Sequence, residues 1–484
     1  MIRGNIVSVI KQNRTGYPRF PYNPEKIFPE FKNFKEYKIE IQDRNGVYTA
    51  VRESLCSLGL NEKNPLKNFI KKGQNVVIKP NLVRDVHPLK REGMESMITH
   101  ASVIRPIIDY VLLATDGEVN ITVCDVPLQQ VDWNKLIKEN GYLELQEFYK
   151  ERGIDINLID LRYMISHTND EGIIISREKN NGDPLGYSAV DLARHSSLYP
   201  IIKDYKKFEI TDYDSKTISK HHNPEINEYF IPNTILNADL FINVPKLKTH
   251  KKGGLTFGLK NLVGINGDKS WIAHHRRGGS KVGGDEYERL QLFEWLRWHL
   301  WAFLKRSKFG IFFASLIKKF FKKYIWGGKD FAELSIEGKR EKHITEGSWY
   351  GNDTIWRCIK DLNNIIFFAD KRGIMKDIKQ REYLCIGDAI ISGEREGPME
   401  CIPKRTDIII AGTNPVATDT VSASLMGFDW TKIPQIKNSF NNRNWELVDF
   451  SQSEIIWKSN IKNIKEKNYK FIPSKYWRNY VEKR

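Results

Sequence analysis

The stretch Asn243–Gly264, NVPKLKTHKKGGLTFGLKNLVG, places five lysines, one histidine and four glycines within 22 residues. Lys246, Lys248, Lys251, Lys252 and Lys260 can neutralise a carboxylate or phosphate. Glycines 253, 254, 258 and 264 let backbone approach a ligand closely. His250 is a candidate acid–base group near neutral pH. Lys260, with Asn261 beside it, is a charge partner or, if its pKa is depressed, a covalent attachment point. His274 and His275 follow in Trp271–Gly279. Adjacent histidines point in different directions on a regular element, so one of them is a candidate ligand or base and the other a structural residue.

Acids come from further along. Asp388, Glu394 and Glu396 surround glycines 387, 393 and 397. With Asp125, Asp353 and Asp419 they are candidates to bind a divalent cation or to serve as acid and base; the plain alternative is solvated carboxylates in glycine turns. Arg357, shortly after Asn352 and Asp353, suits bidentate recognition of a carboxylate or phosphate.

Five short apolar runs would position these groups. They are Val76–Ile78 before Lys79, Pro80 and Asn81; Ile121–Cys124 before Asp125; Leu240–Val244 before Pro245 and Lys246; Leu384–Ile386 before Gly387 and Asp388; and Ile408–Ala411 before Gly412, Thr413 and Asn414. Continuous apolar strands with helical segments between them predict an α/β protein with mainly parallel sheets covered on both faces. Ligands then sit beyond the carboxyl ends of the strands. Thr99 reads as the N-cap of a helix through about Ala114. Asn414 reads as the cap of a helix starting at Pro415 and ending before Gly427. Residues 150–235 are polar and weakly periodic, an excursion forming a lid or small hairpins.

Residues 286–326 differ in kind. Leu292, Trp295, Trp298, Trp301 and Phe303 precede Phe309, Phe313, Leu316, Phe320 and Tyr324, which recur at helical spacing with Lys318, Lys319, Lys322 and Lys323 between them. Such a helix suits an anionic membrane surface; the alternative is a basic hairpin packing its aromatics on the body.

Long motifs in order carry a family resemblance: NVVIKPN (75–81), the lysine stretch 243–264, DAIISGEREG (388–397) and NPVATDTVSASLMG (414–427) resemble the DUF362 family. HHRRGGSKVGGDEY (274–287) and GSWYGNDTIWR (347–357) resemble one subgroup of it. Some relatives carry a ferredoxin-like module, for which this chain lacks the cysteines. A second resemblance is to the nickel-pincer lactate racemases. It rests on His250, on Lys260 ten residues later, and on His274 or His275 beyond. It implies a proton-transfer base at His250, a cofactor tether at Lys260 and a metal ligand at His274 or His275. The chain has Asp125 where the racemases supply a second catalytic histidine, no Pro directly before His250, and Leu259 before Lys260. Two-base racemisation is therefore not expected, and a related cofactor pocket is what the resemblance implies.

The 484 residues carry 76 Lys and Arg against 60 Asp and Glu, a formal charge of +16, with 40% hydrophobic residues. That composition excludes a disordered chain, and the charge favours anionic partners. The five cysteines form no Cys-x-x-Cys pair, which excludes an iron–sulfur or zinc-ribbon pattern and points to a reducing cytoplasm. The apolar stretch in Met1–Ile10 is too short for a signal peptide, and no run of about 18 apolar residues predicts a membrane span. No nucleic-acid module is visible, and no Gly-x-x-x-x-Gly-Lys loop.

The expected organisation is two lobes, residues 1–285 and 346–484, with an amphipathic insertion over 286–345 and a basic tail. The expected function is an enzyme acting on an anionic small molecule or glycan-linked metabolite, by hydride or proton transfer at a hydroxyl-bearing carbon. Catalytic candidates are His250, Lys260, Asp125 and Asp388. Cofactor-binding candidates are Lys260, Asn261, Lys246, Lys248, Asn81, Arg357 and Asn414, and metal candidates are His274 and His275. The cofactor would be a nickel-pincer type or a divalent metal. The alternative is a peripheral membrane protein, on the inner face of the membrane, whose lysine loop holds a lipid or glycan phosphate.

Overall fold

The computed structural model describes residues 4–32, 34, 39–89, 92–170, 172–213, 215–288, 292, 296, 300, 304, 308–325, 346–441 and 445–483. Its centre is a ten-stranded sheet. In chain order the strands are β1 (Ile6–Lys11), β2 (Asn75–Pro80), β3 (Asn120–Asp125), β4 (Ile156–Asp160), β5 (Leu240–Val244), β6 (Lys246–His250), β7 (Gly254–Thr256), β8 (Glu382–Glu396), β9 (Glu400–Gly412) and β10 (Ile456–Ser459). Their order across the sheet is β10-β1-β9-β8-β5-β2-β3-β4, with β6 paired to β8 and β7. The run from β8 through β5, β2 and β3 to β4 is parallel. The pairs β1–β9 and β8–β9 are antiparallel.

Five of these strands are the apolar runs seen in the sequence, and their burial explains why they lack alternation. Val76 and Ile78 of β2 enter one hydrophobic core, which also holds Val103 and Ile107. Val77 enters the other, with Phe241, Ile359 and Val421. A strand covered on both faces needs apolar side chains at every position. On the first face lie α1 (Gly46–Ser57), α2 (Ala101–Thr115), α3 (Trp133–Glu139) and α4 (Tyr142–Lys150). The second face carries, after α5 (Lys308–Phe320), the helices α6 (Ile355–Phe368) and α7 (Pro415–Met426). Strands from before and after 286–345 meet where β5 pairs with β8.

Asn414 caps α7 by accepting from the N–H groups of Val416 and Ala417, Pro415 follows at the first position, and Gly427 ends the helix at φ 86°. α2 departs from its expected start. His100, not Thr99, is its cap, accepting at Nδ1 from the N–H of Ser102 at 3.2 Å. Thr99 is engaged elsewhere: its hydroxyl donates to the carbonyl of Val244 at 2.7 Å and accepts from the N–H of Asn81 at 2.9 Å, tying β5 to the turn after β2. Within 150–235, β4 joins the sheet. Part of the rest forms two ribbons, Met164–Thr168 with Ile174–Lys179 and Tyr187–Asp191 with Glu228–Pro232. Trp295, Trp298, Trp301 and Phe303 lie outside the described residues. No described helix is long and apolar enough to cross a membrane.

Candidate functional site

The register aligns Asn243 with Lys79 and Val244 with Pro80, and sets Lys246 opposite Asp388. The side chains delivered there form two layers. In the inner layer the polar groups are paired. Lys79 Nζ lies 2.7 Å from Asp125 Oδ1. Asp125 also accepts from the N–H groups of Val126 at 2.8 Å and Leu82 at 2.6 Å. A Cβ at Gly264 would fall 2.4 Å from Asp125 Oδ1 and 2.7 Å from Lys79 Nζ, so any other residue would force the pair or the backbone to shift.

Lys246 Nζ lies 2.6 Å from Asp388 Oδ2, both side chains fully buried. It also donates to the Tyr17 hydroxyl at 2.7 Å, which donates to Asp388 Oδ1 at 2.7 Å. The N–H of His100 reaches Asp388 Oδ2 at 2.9 Å, and its ring stacks on Tyr17 with centroids 4.0 Å apart. Burial pushes the Tyr17 hydroxyl well above the usual phenol range, Asp388 adding to it, so Tyr17 stays protonated. Lys248 Nζ donates to Asn81 Oδ1 at 2.7 Å and to the carbonyl of Met97 at 2.5 Å. Asn81 donates to Asn261 at 2.8 Å, and Asn261 donates to Asn243 at 2.7 Å. Burial lowers the Lys248 ammonium to about 8.

The outer layer is short of partners. A single helical turn, Gly258–Asn261, carries Lys260. Asp419 of α7 holds the start of this turn, its carboxylate oxygens each accepting from the N–H of Leu259 at 3.3 Å. The Lys260 side chain is buried, yet its amine has no hydrogen-bond or ion-pair partner among the described residues. Burial, with Lys269, Lys248 and Lys252 nearby, pulls it down to about 7.

His250 accepts at Nδ1 from the N–H groups of Lys252 at 3.0 Å and Gly253 at 3.1 Å. A ring nitrogen that accepts carries no proton, so the proton of the neutral ring sits on Nε2. Burial, then Lys260 and Lys248, hold the ring well below the usual imidazole range, and it is neutral. His250 thus presents an N–H and not a lone pair, which narrows its acid–base role to donation. A Cβ on Gly253 would lie 3.6 Å from Lys260 Cδ and 3.8 Å from His250 Nδ1, so this glycine sits where the two side chains meet.

Lys252 Nζ, His274 Nε2 and both ring nitrogens of His275 are buried without hydrogen-bond partners among the described residues. Burial lowers Lys252 to about 8. Both histidines are driven well below the usual range by burial, with Lys252 adding to it. Lys269, bonded to the carbonyl of Pro127 at 3.0 Å, is lowered by burial to about 7. Glu346 is a carboxylate facing this group, and Asp285 and Asp212 also act on Lys252. Burial works upward on Glu346 but is outweighed by Lys252, Lys251 and His275, which take it to about 2.

Among the predicted residues, Lys246, Lys248, Asn81, Asn261, Asp125 and Asp388 fall in the inner layer, and Lys260, His250, His274 and His275 in the outer. Asn414 is used by its cap and by the carbonyl of Leu447. Arg357 bonds Asp353 and the carbonyl of Ser197. Neither joins the cluster. No three His, Cys, Asp or Glu side chains converge as a metal site among the described residues. Tyr17, His100, Lys269 and Glu346 lie in or beside this cluster and carry no motif of their own, since each comes from a separate segment.

The fold and this lysine-lined centre define an α/β protein whose site collects buried cations at strand ends. The family model described as Domain of unknown function (DUF362) matches residues 76–179 and 151–424, and the chain belongs to that family. Comparison with curated proteins gives no match. Among solved structures, the crystal structure of a protein from Thermotoga maritima, a structural genomics target, is similar at a TM-score of 0.34 and 11% identity. The match covers 78% of this chain and spans 58% of the length of that one.

Proposed function

We propose that the outer layer binds a small anionic molecule or glycan-linked metabolite and moves a proton at a carbon bearing a hydroxyl. Lys260 would be the base and His250 Nε2–H the donor to the oxygen that gains charge. The observation that supports this most is the Lys260 amine, carried on a residue only 9% exposed and without a counter-ion among the described residues, beside a histidine locked as Nε2–H. Buried cations without partners are costly, and an anion entering between Lys260 and Lys252 would relieve that cost. An amine titrating near neutrality is available as a base at physiological pH. A neutral imidazole N–H is suited to holding a developing oxyanion.

Titration calorimetry with inorganic phosphate and with lactate and malate tests the binding step. Wild-type protein is expected to bind at least one of them, with affinity about tenfold lower in Lys260→Met. Absence of binding by all three, or binding indifferent to the substitution, would remove the proposal.

A second reading is favoured by the three orphaned imidazole nitrogens of His274 and His275, both facing Lys252. In it Lys260 tethers a cofactor, and His274 or His275 ligates nickel or another metal. Intact mass under denaturing conditions, with elemental analysis of protein from its native host, separates the two. An adduct mapping to Lys260 with stoichiometric metal supports the tether, and an unmodified chain without metal leaves Lys260 as the base.

A further inference from the structure

Outside the lysine stretch of the sequence, α5 continues into a π-helical turn, Phe321–Ile325. Phe309, Phe313, Leu316 and Phe320 fall within a sector of about 60° on this helix. They are 74%, 44%, 48% and 55% exposed. The other side seats the helix on the body through small residues. Gly310 and Ala314 are buried, and the Ser315 hydroxyl accepts from Asn169 Nδ2 at 2.7 Å. The apolar stripe therefore points away from the protein.

Charge decides what covers it. Between Glu294 and Asp330 the sequence holds nine Lys and Arg and no Asp or Glu. Lys319 and Lys323 are exposed beside the stripe, and Lys323 Nζ lies 5.1 Å from the Tyr324 ring centroid. A second copy would bring a like-charged helix against this one, with no acid to pair the lysines. An anionic bilayer offers apolar interior and negative phosphate in one surface.

We infer that α5 lies in the headgroup region of an anionic membrane leaflet and holds the protein there. This inference is independent of any role for Lys260.

The test uses the full chain and co-sedimentation with two kinds of vesicle, phosphatidylcholine alone and phosphatidylcholine mixed with phosphatidylglycerol. Binding is expected on the mixed vesicles, and added salt weakens it. The triple variant F309S/F313S/F320S is expected to lower partitioning by roughly 100-fold. The double variant K319A/K323A is expected to lower it about 30-fold. All five side chains are exposed, and far-UV circular dichroism checks that the variants fold. Failure to bind mixed vesicles overturns the inference, as does equal binding to both kinds, or partitioning unchanged in the triple variant. Sedimentation velocity adds a further outcome. A wild-type dimer that the triple variant converts to monomer, without vesicle binding, overturns the inference and gives the stripe to a second copy.

Discussion

Lys246 and Lys260 are both buried and both lowered by burial, but their surroundings differ. Lys246 has Asp388 at 2.6 Å and Tyr17 at 2.7 Å. Lys260 makes no hydrogen bond or ion pair among the described residues. Breaking a buried pair leaves the surviving charge stranded, at a cost of about 3–5 kcal/mol. Asp388→Ala is therefore expected to destabilise by that amount in urea denaturation, and a loss below about 1 kcal/mol would contradict the pairing. Lys260→Met removes a buried charge that has no partner to strand. It is expected to raise stability by roughly 1–3 kcal/mol in anion-free buffer while weakening anion binding. A variant that is less stable and binds as well as wild type would show that Lys260 is a structural residue. Asp388, read from the sequence as a candidate acid or base, is in the structure an acceptor for four donors, Lys246, Tyr17 and the N–H groups of His100 and Ile390.

At the scale of elements, the site depends on two contacts between neighbouring segments. One is the crossing of Gly264 over the Lys79–Asp125 pair. Gly264→Ala places a methyl 2.4 Å from Asp125 Oδ1, so pair or backbone must shift. A loss of about 2–4 kcal/mol is expected from thermal denaturation, and an unchanged midpoint would mean the turn has room to move. The other is Asp419, whose carboxylate holds the first turn of the segment bearing Lys260. The apolar runs made the strands legible, because a strand buried on both faces has to be apolar throughout. The Asn414, Pro415 and Gly427 signature made α7 legible for an equally local reason. The start of α2 was less so, because Thr99 is held by tertiary hydrogen bonds to β5 and to Asn81, which no local pattern records. The same limit applies to the site. The lysine stretch announces itself by composition, whereas Tyr17, His100 and Lys269 join it through strand order. The tautomer of His250 follows from two backbone donors at Lys252 and Gly253, and spacing carries no trace of it.

Across the whole molecule, the lowered lysines make stability a function of pH with a definite sign. Lys260 and Lys269 titrate at about 7 and Lys248 and Lys252 at about 8 in the folded chain, against an ordinary lysine value of 10.5. Below about pH 7 these groups hold their protons in both states, and the native state carries the cost of burying them. Between about pH 7 and 10.5 the unfolded chain still holds protons that the native chain has released. Unfolding then takes up protons, and stability rises with pH at up to about 1.4 kcal/mol per unit for each group. Denaturation in anion-free buffer is expected to show stability increasing from pH 7 to 9, with a shallower slope in Lys260→Met. Phosphate reverses the emphasis, because an anion bound among protonated lysines relieves a cost that is largest at low pH. The phosphate-induced rise in melting temperature is therefore expected to be larger at pH 6.5 than at pH 9. Stability that falls over pH 7 to 9, or a phosphate effect that grows with pH, would mean that these lysines keep ordinary pKa values and that a bound anion does not relieve the cost of burying them.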